Sequence, residues 1–175
     1  MTKPRAREYD TRTPMVSTTS DDGIAIRPFV PADAVAIVTL INGILAAEFS
    51  GEQTAFPMTD LEQIAAAYGG PKDAFFVADA GGRIVGTCAV KQDEPSTALL
   101  RRLFVAPEQR GHGLGGRLAK TAITFCKAQH YRTIRIRTSD RMATAMAICR
   151  RQGFQEDARM PLGAVHLVLL TLRLS

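Results

Sequence analysis

Residues 103–116 read LFVAPEQRGHGLGG, an apolar run typical of a strand followed by a loop of glycines around one arginine. Glycine has no Cβ, so its backbone can approach a ligand closely. The next segment, Gly113 to Gln129, has helical periodicity, and a helix N-terminus presents unpaired N–H groups with partial positive charge. This combination predicts a phosphate site on the amides of residues 111–116, with Arg110 as a charged donor.

The same glycines suggest three other interpretations. Gly111-x-Gly113-x-x-Gly116 fits the dinucleotide fingerprint, and Asp140, 24 residues beyond Gly116, is a candidate ribose ligand. However, five residues separate the strand from the first glycine, and too little chain follows for a doubly wound sheet. A P-loop is excluded because no Lys-Ser/Thr pair follows. A glycine turn that merely begins a helix is the structural alternative.

The length and composition favour one domain. The chain has 175 residues, 46% of them hydrophobic. Residues 1–20 are polar and aperiodic, which predicts a mobile tail ahead of a domain over residues 21–175. The start lacks the apolar core of a secretory signal, and the apolar runs fall short of the roughly 20 residues of a membrane span. Cys88, Cys126 and Cys149 have no metal-binding spacing, so we expect a reduced, cytoplasmic protein without a membrane partner.

The two halves of the chain carry opposite charge. Residues 21–96 hold four basic and eleven acidic side chains, whereas residues 97–175 hold fourteen basic and four acidic ones. This split predicts an anionic partner for the C-terminal half, either a phosphorylated cofactor or a nucleic acid. Few aromatic residues accompany these arginines to stack on bases, so no nucleic-acid partner is expected.

The periodicity of apolar residues predicts the order strand, two helices, three strands, helix, strand, helix, strand. The predicted strands are Ile24–Arg27, Ala74–Ala78, Ile84–Val90, Ala98–Val105, Ile134–Arg137 and Val165–Leu172. Four helices are predicted. The first begins at Pro31, and the second covers Leu61–Tyr68 with a cap at Thr59 or Asp60. The third spans Gly113–Gln129, and the fourth runs from a cap at Ser139 or Asp140 to Gln152. Short turns join the middle three strands into an antiparallel meander.

Two motifs resemble those of the GNAT superfamily of acyl-CoA N-acyltransferases. Arg110-x-x-Gly113-x-Gly115, preceded by Leu103-Phe104-Val105-x-Pro107-Glu108, resembles the acyl-CoA-binding motif, and residues 145–154, AMAICRRQGF, resemble the signature A-I-x-L-Y-x-x-x-G-F. Asp33-Ala34 and the element order also match, so the resemblance covers roughly residues 24–173. It implies a single GNAT-type α/β domain (α+β in some schemes), with a mixed, mostly antiparallel central sheet flanked by about four helices.

The resemblance implies acetyl-CoA as cosubstrate, and no metal. The pyrophosphate would lie on the amides of Gly111, His112, Gly113, Leu114, Gly115 and Gly116, beside Arg110. The pantetheine arm would pair with Leu103, Phe104 and Val105 where the sheet splays, and an N–H near Phe104 or Val105 would polarise the thioester carbonyl. A primary amine would then attack directly in a ternary complex, which makes the expected activity an acetyl-CoA-dependent N-acetyltransferase.

Three positions depart from the pattern of the family. Relatives often carry a glutamate that acts as the general base, either where this chain has Leu99 or in the fifth strand, where it has Arg137. Neither Leu99 nor Arg137 can accept a proton. The usual tyrosine acid is Cys149. A thiol with a pKa of about 8.5 could protonate a leaving thiolate of similar basicity, so Cys149 is the candidate acid. The alternative is a packed thiol on one helix face with Met142, Ala145 and Met146.

These departures leave two classes of function open. One is the transferase, acting on a small-molecule or peptide amine, with Glu48 or Glu52 as other candidate bases unless they are solvated surface carboxylates. The other is an acyl-CoA-binding protein with little or no catalysis. The loops that would form the acceptor pocket carry no motif, so the acceptor cannot be read from the sequence, and a monomer or a homodimer is expected.

Overall fold

Alternating apolar residues build the centre of an eight-stranded sheet in the computed structural model, which describes residues 18–51 and 57–175. The strands are β1 Thr18–Thr19, β2 Ile24–Pro28, β3 Ala74–Ala80, β4 Arg83–Glu94, β5 Thr97–Val105, β6 Thr133–Ser139, β7 Gln155–Leu162 and β8 Val165–Arg173. The helices are α1 Ala34–Glu48, α2 Thr59–Glu62, α3 Ile64–Ala67, α4 Leu114–Ala128 and α5 Ala143–Arg151, with short 3-10 turns at Pro31–Asp33 and Pro107–Gln109. The predicted mixed, mostly antiparallel α/β fold is confirmed.

The sheet has the strand order β1-β2-β3-β4-β5-β6-β8-β7. Every neighbouring pair is antiparallel except β5 and β6. The parallel ladder is short: it joins Thr97–Leu99 to Thr133–Arg135 and ends there. Beyond Leu99 the two strands diverge, and the second half of β5 therefore borders an opening in the sheet.

Two layers of helices cover the sheet. Leu118 and Ala122 of α4 pack with Val85 and Leu100 in one core, together with α5. Ile37 and Ile41 of α1 pack with other residues of β3 and β4 in a second core on the opposite face, which α2 and α3 complete. Each fully buried leucine or isoleucine side chain stabilises the fold by about 1.5–3 kcal/mol.

Pro31–Glu48 is a long, apolar helical stretch near the N-terminus. Its mean hydropathy is 1.4, and it is the one helical stretch within residues 18–51 and 57–175 that is long and apolar enough to cross a membrane by length and composition. About 28% of the stretch is buried: Asp33, Ile37, Ile41, Ile44 and Leu45. Of these, Ile37, Ile41 and Leu45 pack in the core formed with β3 and β4. Core helices pass the same test, so it does not establish a span. The cytoplasmic location stays a prediction.

Both predicted helix caps, Thr59 or Asp60 and Ser139 or Asp140, are wrong, because neither α2 nor α5 has a side-chain cap. The helix predicted over Leu61–Tyr68 is divided at Gln63, which has φ −142° and ψ 72°, and Asp60 bonds to Tyr68 and a distant arginine instead of to the helix. The last helix begins at Ala143 without a side-chain cap, and Asp140 accepts the backbone N–H of His166 at 3.0 Å. In both cases a long-range partner competes successfully with the local helix terminus.

The structure adds two strands. β7, Gln155–Leu162, escaped prediction because its side chains are almost all exposed, so it has no alternation of apolar and polar residues. β1 places Thr18 and Thr19, at the end of the predicted 1–20 tail, opposite Ile26 and Ala25. The rest of that tail, residues 1–17, lies outside the described residues.

Candidate active site

The glycine loop has a backbone that few other residues could adopt. Gly111 and Gly113 both have φ +80°, and a Cβ on either would meet nothing within 4 Å, so the space beside the loop is open. Gly113 precedes α4, and no side chain caps this helix. The first turn closes with the Arg117 N–H donating to the Gly113 oxygen at 3.1 Å. The amides of residues 114–116 therefore have no earlier carbonyl in the helix to bond and suit phosphate oxygens.

This loop forms one wall of a cleft of about 710 Å³. The other walls are the end of β5, the C-terminal end of α1 and one side of α5. The cleft brings together most of the residues predicted to bind the cofactor: Leu103, Phe104, Val105, Arg110, Gly111, Gly113, Leu114, Gly115 and Gly116. His112 is exposed, and it is not among the described residues that line the cleft.

Gly115 has a packing role that the sequence did not reveal. A Cβ at this position would lie 2.4 Å from Cδ1 of Ile148, so any larger residue would require the Ile148 side chain to move. Gly115 therefore allows close packing of α4 against α5 at the cleft. Arg141 and Arg151 at the α5 wall were also missed, although the basic C-terminal half was a general signal for them.

The end of β5 directs backbone groups into the opening. The Ala106 N–H donates to the Val85 oxygen of β4 at 2.8 Å, and Val105 is opposite Gly86. Because successive residues of a strand face opposite sides, the N–H and C=O of Val105 point away from β4, whereas those of Phe104 point towards it. Of the two amides proposed to polarise a carbonyl, the geometry thus favours Val105.

Arg110 lies beside this backbone. Its Nε donates to the Val105 oxygen at 3.1 Å, and its Nη1 lies 2.7 Å from Oε1 of Glu48. Glu48, a candidate base in the sequence, therefore contacts the arginine of the cofactor cleft. Glu52, the other candidate, lies outside the described residues.

An irregularity in β5 separates the opening from the paired part of the strand. Arg102 has φ +54°, an uncommon value for a residue with a side chain, and the register with β4 shifts between Thr87 and Ala89. The buried Thr87 hydroxyl donates to the Arg102 oxygen at 2.7 Å. The Arg102 side chain bonds Asp60 and donates to the Pro57 oxygen at 2.5 Å. These contacts fix the bulge from both its backbone and its side chain.

Asp60 connects this bulge to α2 and α3. It accepts from Arg102 Nε at 3.0 Å and from the Tyr68 hydroxyl at 2.5 Å. Burial acts to raise the pKa of the Asp60 carboxyl, but the hydrogen bonds from Arg102 and Tyr68 outweigh it, and the pKa is lowered. Asp60 is therefore an ionised carboxylate at neutral pH.

A second cavity, of about 420 Å³, lies at the same opening. It shares Leu103, Phe104, Met142 and Ala145 with the first cleft. Leu99, Arg137 and Cys149, the three positions that depart from the family pattern, all line it. A ligand bound to the glycine loop and one in this cavity would thus meet at Leu103 and Phe104, near the C-terminal end of β5.

Comparisons with known proteins agree with this arrangement. Residues 40–154 match the sequence model of the Acetyltransferase (GNAT) family. The chain belongs to this family. The resemblance seen in the two motifs is confirmed.

Among curated GNAT relatives, N-acetyltransferase 8F1 of Rattus norvegicus is 32% identical over 106 residues, covering 58% of this chain and 48% of the relative. The chain spans about half the length of the curated relatives it matches.

Among solved structures, a GNAT acetyltransferase from Staphylococcus aureus superposes with a TM-score of 0.77 at 24% identity, over 87% of this chain and 99% of the other. An acetyltransferase from Salmonella typhimurium, solved with acetyl-CoA, has a TM-score of 0.70 at 19% identity, over 87% and 95%. At these identities the likeness shows the fold.

Cys149 lies where GNAT relatives often carry a tyrosine. It is 1% exposed, and burial raises the pKa of its thiol to about 12. That pKa lies above the value of about 8.5 for an ordinary thiol, so proton donation from Cys149 to a leaving thiolate is uphill. The environment favours the packed thiol over the acid. All three cysteines are buried and free.

Proposed function

We propose that this GNAT protein is an acetyl-CoA-dependent N-acetyltransferase that transfers an acetyl group to a primary amine by direct attack in a ternary complex. The observation that carries the proposal is the opening beside β5, where a cleft built on glycine amides meets a second cavity at Leu103 and Phe104. Such a junction holds two substrates side by side, and positioning alone supplies much of the rate of a two-substrate reaction.

One set of the described residues binds the diphosphate of the cosubstrate, and the Val105 amide polarises the thioester carbonyl. The amides after Gly113 and the Arg110 guanidinium bind the diphosphate of acetyl-CoA, which supplies the reactive thioester. Arg110 exchanges its contacts with Glu48 and the Val105 oxygen for the phosphate, and this frees the Val105 oxygen to pair with an extended ligand. The Val105 N–H then donates to the oxygen that gains negative charge during attack.

In this proposal the amine nitrogen forms a bond to the thioester carbon, the C–S bond breaks, and coenzyme A leaves as a thiolate. The proton that the nitrogen loses leaves through water, and water also returns a proton to the thiolate. Among the described residues that line the second cavity, none is an aspartate, a glutamate, a histidine, a lysine or a tyrosine. This same observation favours the second candidate function, an acyl-CoA-binding protein with little catalysis, and only turnover separates the two.

Thermal unfolding with acetyl-CoA, with NAD and without ligand tests the cofactor first. A ligand at 100 times its Kd stabilises by about 2.7 kcal/mol, which raises the Tm by roughly 5–10 °C for a chain of this size. We expect the rise with acetyl-CoA only. A rise with NAD alone, or none with acetyl-CoA, would reject the assignment of the glycine loop.

Release of free thiol from acetyl-CoA, measured across a panel of small amines, amino acids and peptides, tests the reaction. Turnover above the uncatalysed rate with any amine supports the transferase. A Tm rise with acetyl-CoA but no turnover across the panel would leave the binding protein as the function.

A further inference from the structure

The charged side chains of the second cavity are all of one kind. Among the described residues that line it, Arg101, Arg102 and Arg137 carry the charge, and each is a guanidinium. Arg102 is 6% exposed and is occupied by Asp60 and the Pro57 oxygen. Arg101 and Arg137 are 36% and 58% exposed and are the two that a ligand can reach.

The carboxylates near these two arginines contact other groups more closely. Nη2 of Arg101 lies 3.9 Å from Oδ2 of Asp60, an oxygen that already accepts from Arg102 and Tyr68. A separation of 3.9 Å is an ion pair without a hydrogen bond. Arg101 thus keeps hydrogen-bond capacity towards the cavity.

Arg137 has the same kind of partner on β4, which lies beyond β5 in the sheet. Its Nη2 lies 3.9 Å from Oδ2 of Asp93, and the same oxygen lies 3.7 Å from Arg135. Arg135 pairs in addition with Glu94 at 3.3 Å and is not among the described residues that line the cavity.

The register of the sheet places Arg101 and Arg137 on one face. Leu99 of β5 and Arg135 of β6 form the last pair of the parallel ladder, and Arg101 and Arg137 are each two residues further along. Side chains two residues apart in a strand lie on the same face, so the two guanidiniums flank the opening where the strands diverge.

The wall next to Arg137 also holds unsatisfied polar atoms. The hydroxyls of Thr138 and Ser139 are buried and have no hydrogen-bond partner among the described residues, and both residues line the cavity. Thr138 is 5% exposed and Ser139 2% exposed. Buried hydroxyls are normally bonded. Because both oxygens are also closed to solvent, a ligand in the cavity would reach them only if their side chains rotated.

We propose that the acceptor carries a carboxylate in addition to its amine, and that Arg101 and Arg137 bind this carboxylate. The inference rests on the proposed transferase function and specifies its substrate class. Guanidinium and carboxylate groups match in geometry and form strong charge-assisted hydrogen bonds. Arg137, at a position where relatives often carry a glutamate base, would then determine which acceptor binds.

The same pair of arginines affects the amine. A nearby positive charge disfavours the ammonium form and lowers the pKa of an amine, so a cavity lined by guanidiniums favours the neutral amine that attacks. This effect replaces a base only for the first proton, which the ammonium loses to water before attack. The second proton leaves the nitrogen after the N–C bond has formed, again to water.

The test compares acceptors that differ only in the carboxylate. The dipeptide Ala-Ala and its C-terminal amide have amines of similar basicity but end in an anion or a neutral group. Both are assayed by thiol release from acetyl-CoA, and their binding is measured in the presence of CoA. We expect kcat/KM to be at least about ten-fold higher for the free acid, the scale of a charged hydrogen bond. A second pair, 4-aminobutyrate and its amide, places the carboxylate differently.

Variants of Arg137 and Arg101 test whether these residues cause the preference for acceptors with a free carboxylate. Arg137→Gln and Arg101→Gln should each lower kcat/KM for the free acid about ten-fold or more and change that for the amide less than about three-fold. Arg135→Gln is the matched control: it removes the same charge from the same strand but not from the cavity, and should leave the preference intact. The acetyl-CoA-induced Tm rise should persist in all three.

Each other outcome overturns the proposal. Equal or better use of the amides, equal loss for acid and amide in Arg137→Gln, or the same loss of preference in Arg135→Gln would each do so. Absence of both turnover and binding for every carboxylate probe, in a protein that acetyl-CoA stabilises, also overturns it. Absence of stabilisation by acetyl-CoA would instead be a failure of the proposed function.

Discussion

The two cavities at the β5 opening share four lining residues and yet are built from different parts of the chain. The cleft at the glycine loop is mainly backbone: glycines with positive φ, a helix N-terminus and the unpaired edge of β5. The second cavity is mainly side chains, contributed by β5, β6, α5, β7 and β8. A backbone site needs particular residues at consecutive positions, whereas a side-chain site can be assembled from distant ones. The first can be recognised in a sequence, and the second requires the fold.

Gly113→Val should have the largest effect on acetyl-CoA binding, because it changes the backbone that forms the glycine-loop cleft. The residue has φ +80°, and a branched side chain would fill the space beside the loop. We expect acetyl-CoA no longer to raise the Tm, with a stability cost of about 1–2 kcal/mol from the left-handed backbone. Thermal unfolding with and without acetyl-CoA measures both effects.

Gly82→Val is the matched control for this variant. Gly82, in the hairpin between β3 and β4, has φ +94° and equally open space around it. It should lose a similar stability and keep its response to acetyl-CoA. Retention of the acetyl-CoA response in Gly113→Val would contradict a backbone phosphate site.

Asp60→Asn tests the side-chain support of the bulge between the two cavities. It removes the carboxylate that pairs with Arg102, whose side chain is only 6% exposed. Loss of one partner from a buried pair costs about 3 kcal/mol. Asp93→Asn, whose ion pairs with Arg135 and Arg137 are 3.7 and 3.9 Å long, should cost less than about 1 kcal/mol. Urea unfolding at pH 7 compares the variants.

The cost of Asp60→Asn should depend on pH in one direction. The folded pKa of Asp60 is lowered, so its contribution is complete above the unfolded value of about 3.9 and is lost as the pH falls through the folded pKa. The difference from the unmodified protein should therefore narrow below about pH 4. A difference that stays constant down to pH 2 would mean that the charge of Asp60 does not act through this pair.

The sequence predicted the backbone site better than the side-chain site. Local patterns predicted the order of the main strands, the glycine loop and the helix after it. They failed for Asp60 and Asp140, where a helix cap was expected and the partners, Arg102 and His166, are 42 and 26 residues away. They also could not place Arg101 beside Arg137, because only the register between β5 and β6 brings these residues to one face. Interactions across many residues decide these features, and no local propensity encodes them.

Cys149→Ala should have the smallest effect on kcat and stability. It tests whether the thiol in the wall of the second cavity takes part in the reaction. Because burial raises the pKa of this thiol to about 12, we expect kcat to change less than about two-fold. Stability should fall by about 1 kcal/mol as the buried sulfur leaves a small void. The measurements are kcat with the best acceptor and the Tm.

Cys126→Ala provides the comparison for packing alone. Cys126 lies on α4, is fully buried, and burial raises the pKa of its thiol to about 12 as well, but it is not among the described residues that line either cavity. Equal small losses of stability and unchanged kcat in both variants would fit two packed thiols. A ten-fold loss of kcat in Cys149→Ala alone would instead support the acid role, since both thiols are buried and only Cys149 lines the second cavity.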